Sequence, residues 1–277
     1  KLNSPFLRKY LVYSFDSSTK KLREFDLGRD KIYLQDLLIN TFKDDVQMAA
    51  LFTSDPFQQH ESSGYAFASI DSLGKLSAEK GVNYFDPATV AAFKSEDNAT
   101  SNTIENVFLD ELFNVNGSNL LVMDQHYRDQ VCTTDPRTGM ISCTDQFHFD
   151  GIAVENLTNP GASVNIGRSQ IDYNKVGMHV GHQTISVDLG LLIIYNDHYK
   201  NESIKAERIM NNPARSSVRY VIINEKGLSS TGFLNNQKQN EFVLVSTVPG
   251  YLDGSIWNGL FSNGKEFRIG TVEINDL

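Results

Sequence analysis

The stretch that most constrains how this chain can fold is residues 119–155, NLLVMDQHYRDQVCTTDPRTGMISCTDQFHFDGIAVE, which holds both cysteines and two of the six histidines. Asp135-Pro136-Arg137-Thr138-Gly139 is a turn signal. Proline presets φ, and glycine accepts the positive φ needed to reverse the chain. With Cys132 placed opposite Cys143, Val131 faces Thr144, Tyr127 faces His148, Met123 faces Ile152 and Leu121 faces Val154. The base of the hairpin is therefore apolar. The outer half carries Arg128, Asp129, Gln130, Asp145 and Gln146, which cannot be buried without partners, so an exposed arm is expected. Facing cysteines in neighbouring strands have Cβ atoms close enough to bond, so a Cys132–Cys143 disulfide is expected.

The same register bears on a metal site suggested by the paired motifs DQHYRD and DQFHFD. Side chains alternate between faces along a strand. His126 then shares a face with Cys132 and Phe149, while His148 shares the opposite face with Tyr127. The two rings cannot meet on one ion.

The wider composition narrows the classes of function. At 277 residues the chain can bury a sizeable core, in one large domain or two smaller ones. A net charge of −9 argues against nucleic acid as a partner, because phosphate binding needs a basic surface. No apolar run reaches the length of a membrane-spanning helix, and Leu189 to Tyr195 suits a buried strand instead. There is no signal peptide, and a start at Lys1 fits a processed or trimmed chain. Asn98, Asn116, Asn156 and Asn201 head four glycosylation sequons, a pattern short enough to arise by chance. The expected disulfide is the better guide to compartment and places the chain outside the cytoplasm: secreted, cell-surface or periplasmic.

Residues 9–27 read as a hairpin turning at Asp16 to Thr19. Leu34, Leu37, Leu38, Thr41, Phe42, Val46 and Ala49 recur at spacings of three and four, which predicts a helix with Asp30 as N-cap, closed by Pro56. Residues 64–85 regain strand character around a turn at 71–74, and Pro87 opens a short helix. After a loop at 94–103, a second helix is expected over 103–114. Asn102 caps it, Ile104, Val107, Phe108 and Leu112 form its buried stripe, and Gly117 ends it. Strands are expected over 163–198, with Ile185 to Tyr195 deep in a sheet. A short helix is read at 201–211, and β-structure follows to the end. There Asn263-Gly264 is the strongest two-residue turn signal.

These elements predict an α+β fold. Helices concentrate in the first 120 residues or so, and a mainly antiparallel sheet with its stapled arm makes up the remainder. The divisions are 1–118 and 119–277, within what could be one continuous domain. The turns in IDSLGKL at 70–76 and INEKGLS at 223–229 resemble the polar turns of PAS-like and Cache-like sensor domains, which implies ligand sensing.

No phosphate loop, dinucleotide fingerprint, nucleophile elbow, zinc helix or calcium loop is present, and Cys132 and Cys143 lack C-x-x-C spacing. His179-Val180-Gly181-His182 is the remaining metal candidate, because a bend at Gly181 could bring both rings to one side. No cofactor is expected, and an enzyme is the less favoured class. The leading reading is an extracytoplasmic surface or structural protein. It assembles with itself or a protein partner, as an oligomer or polymer, through β-rich surfaces and the hairpin. Tyr127 and Phe147 are the expected anchors, with Arg128 and Asp129 setting specificity around them. An extracytoplasmic ligand-binding or sensor domain is the alternative, and a metal-dependent hydrolase comes third.

Overall fold

The computed structural model describes residues 11–16, 21–26, 32–43, 45–58, 60–71, 73, 75–77, 81–93, 102–172, 177–205, 207–234 and 242–274. The fold is nearly all β, not α+β, and α1 (Pro87–Phe93) is the one α-helix among the described residues. The strands of the first half are β1 (Leu11–Asp16), β2 (Lys21–Asp26), β3 (Tyr33–Phe42), β4 (Asp45–Thr53), β5 (Glu61–Ser62), β6 (Gly64–Ile70), β7 (Leu76–Ser77), β8 (Val82–Tyr84), β9 (Ile104–Glu105) and β10 (Val107–Val115). Those of the second half are β11 (Ser118–Thr134), β12 (Ile141–Asn156), β13 (Val164–Asp172), β14 (His182–Val187), β15 (Gly190–His198), β16 (Ser216–Asn224), β17 (Gly227–Phe233), β18 (Val243–Leu244), β19 (Tyr251–Asp253), β20 (Ile256–Ser262) and β21 (Phe267–Glu273).

Three of the sheets have four strands: β10-β11-β12-β13, β14-β15-β16-β17, and β18-β20-β19 with β21 on the far side of β20. A fourth, larger sheet runs β3-β4-β6-β7 with β8 also on β6, and β1-β2 and β5-β9 are short pairs. The chain divides into two compact units, Lys1–Asn114 with Leu120–Gln125, and Val115–Asn119 with His126–Leu277.

The helix expected from Asp30 to Pro56 is instead the β3–β4 hairpin, in which Leu38 pairs with Ala49 and Thr41 with Val46. Asp30 itself lies outside the described residues. Lys43, with φ 54°, reverses the chain between the two strands. Ala49 and Ala50 favour helices as isolated residues, yet here β4 is bonded by β3 on one side and β6 on the other. A central strand buried on both faces loses its alternation, so its apolar run matches helical spacing by chance.

The second expected helix, 103–114, is also strand. Ile104, Val107 and Leu112 are buried as expected, but Phe108 is exposed. Gly117 does not cap a helix; Asn116 (φ 49°) and Gly117 (φ 83°) form the two-residue turn joining β10 to β11. The helix read at 201–211 is absent too among the described residues. That segment is irregular apart from a bridge between Met210 and Gln170, and a 3-10 turn begins at Pro213.

Other readings hold. β1 and β2 pair from Leu11↔Asp26 to Asp16↔Lys21, and the turn between them lies outside the described residues. Helix α1 starts at Pro87, with the Asp86 carboxylate accepting from the Ala88 and Thr89 N–H groups at 2.7 and 2.8 Å. The loop expected at 94–103 lies mostly outside the described residues. β20 and β21 pair as a hairpin, but through the four-residue loop 263–266 rather than a two-residue turn, with Gly264 at φ 83°. The Asn263 side chain there accepts from the Lys265 and Glu266 N–H groups.

In the second unit the β14–β17 sheet is a middle layer. On one face Leu192, Ile194, Val218 and Ile222 pack with Leu244, Trp257 and Ile274 of the last sheet. Gly250 and Gly259 lie so close to the Trp257 ring that a Cβ at either would collide with it. On the other face Arg168 of β13 reaches His182 at 3.0 Å, and the Gln170 amide donates to the Asn196 carbonyl at 2.6 Å. Leu191 to Tyr195 are fully buried, as the apolar run predicts, whereas β14 is mostly half-buried and Leu189 is exposed in the turn.

The middle layer also holds a buried ion pair. The guanidinium of Arg219 donates to Asp197 at 2.9 Å and to the carbonyls of Asn201 and Glu202, and lies 4.7 Å from the Phe233 ring centroid. Burial pushes the Asp197 carboxyl above its usual range, and the hydrogen bonds from Arg219 and Asn201 oppose that shift. This pairing lets two charges stay inside the sheet.

Ile193 is fully buried, so Ile193→Ala is expected to cost roughly 2–5 kcal/mol in denaturant unfolding. Leu38, a core residue in the helical reading, is only half-buried in β3, and Leu38→Ala should cost clearly less in the same measurement.

Candidate functional site

The β11–β12 hairpin continues past its neighbours. Among the described residues β13 follows β12 no further than the Phe147↔Asp172 pair, and β10 has only nine residues against seventeen in β11. Every residue from Arg128 to Thr144 is exposed. The outer half of the hairpin is thus a two-stranded ribbon with water on both faces and both edges. A bare ribbon of this kind is marginal, so something must hold its strands together.

Three features do so. Cys132 and Cys143 are bonded, with their Cα atoms 4.0 Å apart. Behind the disulfide, Arg128 donates to Asp145 at 2.6 Å, and Gln130 donates to the same carboxylate. At the tip the Asp135 N–H donates to the Met140 carbonyl, and the Asp135 carboxylate accepts from the Arg137 and Thr138 N–H groups. Those backbone donors hold the Asp135 carboxyl below its usual range.

The expected register is reproduced by the side chains. Tyr127 stacks on His148 with ring centroids 4.6 Å apart, and His126 stacks on Phe149 at 5.6 Å. The two histidines therefore occupy opposite faces. Alternation separates the expected anchors as well. Phe147 lies on the Arg128 face and Tyr127 on the Asp129 face, and both rings are half-buried at the root of the ribbon. Asp129 is exposed, and its carboxylate accepts from the Gln130 N–H at 2.7 Å. The exposed apolar residues on the ribbon are Val131, Met140 and Ile141, at 39, 71 and 69 %. A polar reading of the outer half passes over them, although Met140-Ile141 directly follows the turn signal.

Tyr127 is chemically quiet. Burial, then the charge of Asp150 and the hydrogen bond to it, push its phenol up to about 12. The ring stays neutral across the physiological range.

His179 and His182 are not brought together. Gly181 does bend the chain, with φ 89° and its N–H on the Gln170 side chain. The bend sends the rings to different partners: His179 Nδ1 donates to the Leu244 carbonyl at 3.1 Å, and His182 Nδ1 accepts from Arg168. Among the described residues no group of three His, Cys, Asp or Glu side chains could hold a metal ion. His179 does line a cavity of about 330 Å³ with Ile171, Met178, Val180, Met210 and Pro213.

Two of the four sequons are closed by the fold. Asn156 and Asn201 are fully buried. The Asn156 side chain donates to the Glu225 carbonyl and accepts from the Thr158 and Asn159 N–H groups. Asn201 donates to Asp197 and the Arg208 carbonyl, and accepts from the Arg208 N–H. Asn116 stands exposed in its turn, and Asn98 lies outside the described residues. The disulfide points to an oxidising, extracytoplasmic location. Among the described residues no helix is long and apolar enough to cross a membrane. Compared with protein-family models and with curated proteins, the chain matches none.

The disulfide contributes to the ribbon rather than to the buried layers. In Cys132→Ser/Cys143→Ser, amides across 129–146 should exchange faster by roughly the 30- to 1000-fold that 2–4 kcal/mol represents, with those of Leu191 to Tyr195 unchanged. Tyr127 predicts an alkaline effect. Its folded value lies above the unfolded value of 10, so its contribution to stability is complete below pH 10 and is lost as pH rises to about 12. Tyr127→Phe should flatten that part of a plot of unfolding midpoint against pH.

Proposed function

We propose that this chain is an extracytoplasmic surface protein that assembles with its own copies or a protein partner through the stapled β11–β12 hairpin. One observation carries the reading: an unbroken exposed run, Arg128 to Thr144, closed by a disulfide and bearing Val131, Met140 and Ile141 in water. Exposed apolar side chains on a rigid ribbon suit a contact surface, since the ordering cost of a flexible arm is met before binding. Ile141 is the proposed centre of the contact on one face, with the Arg128–Asp145 pair as its polar rim, and Met140 with Val131 and Asp129 offers the other face.

The test removes the ribbon and keeps its root. Residues 129–146 are deleted and the strands rejoined by Asn-Gly. The intact chain is expected to form polymers or rings on negative-stain grids, and the variant to fold with near-normal thermal stability but form none. Met140→Lys with Ile141→Lys should weaken the contact by about tenfold or more without affecting the fold. A shortened protein that assembles as the intact one does refutes the reading.

The cavity beside His179 favours a second reading, an extracytoplasmic ligand-binding module. A rise in unfolding temperature with a small ligand, abolished by Met210→Trp, supports that reading.

A further inference from the structure

The last sheet has two unlike faces. Alternation along β20 and β21 puts Trp257, Gly259, Phe261, Gly270 and Val272 on the inner side, packed on the middle layer. The other side carries Ile256, Leu260, Phe267 and Ile269, and Tyr251 joins them through its pairing with Asn258. Tyr251, Ile256, Phe267 and Ile269 are exposed at 67, 40, 57 and 76 %. Leu260 pairs with Ile269, and Tyr251 lies diagonally between Ile256 and Leu260, so these side chains run together along the face beside the polar Asn258–Thr271 pair. Isolated apolar residues are ordinary on a surface, but a continuous field on one sheet face marks a contact.

The layer beneath indicates what covers such a face. The β14–β17 sheet is covered on both sides by other antiparallel sheets, so sheet-on-sheet stacking is how this unit buries its apolar faces. The charges around the field select the occupant. Asp253 pairs with Ile256 at one end of the face. At the other end lies Lys265, while Glu266 is neutralised by Arg268 at 3.4 Å. A two-fold axis through the face sets the acidic end of each copy on the basic end of the other, and places the apolar fields against one another.

We infer that the outer face of the β18–β21 sheet is a self-association surface, occupied by the same face of a second copy of this chain. This surface is separate from the hairpin, so it goes beyond the reading above and does not depend on it.

Sedimentation velocity of the full chain from about 1 to 100 µM tests the inference. The expected species is a dimer. Ile269→Lys should raise its dissociation constant by about tenfold or more, with an unchanged circular dichroism spectrum. Lys265→Glu should also weaken the dimer, and Asp253→Lys in the same chain should restore it, a recovery that lost stability alone would not produce. The chain lacking 129–146 should remain dimeric, which separates this surface from the hairpin. A chain that is monomeric at every concentration, with the face open or covered by chain beyond residues 1–277, overturns the inference. So does a dimer that ignores both Ile269→Lys and Lys265→Glu.

Discussion

Burial of the β14–β17 sheet on both faces is the constraint on which the second unit depends. β15 has no polar side to turn towards water, and Leu191 to Tyr195 are fully buried. Such a strand is stable only between two other layers, and the sheets on either side are held in place by covering it. Polar groups enter this interior only with partners. Arg219 is matched by Asp197, and the Asn196 side chain donates to the His179 and Leu244 carbonyls while accepting from the Leu244 N–H. These bonds tie the middle layer to its neighbours and make its position specific, which apolar contact alone does not.

The outer hairpin follows the opposite logic. It has no layer above or below it, so its order comes from covalent and local polar links: the disulfide, the Arg128–Asp145 pair and the Asp135 turn. Open strand edges invite unwanted pairing, and charged residues along an edge discourage it. Arg128, Asp129 and Asp145 fit that role.

Compartment and fold agree in one further respect. The Asn156 and Asn201 amides are spent on backbone hydrogen bonds inside the second unit. A glycan on either would remove those bonds and require buried space that does not exist. These two sequons therefore belong to the architecture, and only Asn116, among those in described residues, is open to modification.

By itself the sequence determined what depends on neighbours along the chain. The stapled hairpin, its register, the opposed faces of His126 and His148, the helix start at Pro87 and the buried run at Leu191 to Tyr195 could all be read, because turn residues, proline and alternation act over a few positions. Asn116-Gly117 carries the same local signal for the β10–β11 turn, although Gly117 alone suits a helix end equally well. Tertiary structure decided the rest. The apolar spacing from Leu34 to Ala49 suits a helix and equally a pair of strands, and the choice falls to β6, which hydrogen-bonds β4 from more than a dozen residues away. Likewise, nothing near Ile256 or Ile269 in the sequence says which side of β20 and β21 is covered. That is settled by the middle layer, which packs on Trp257 and leaves Ile256, Phe267 and Ile269 on the opposite face in water.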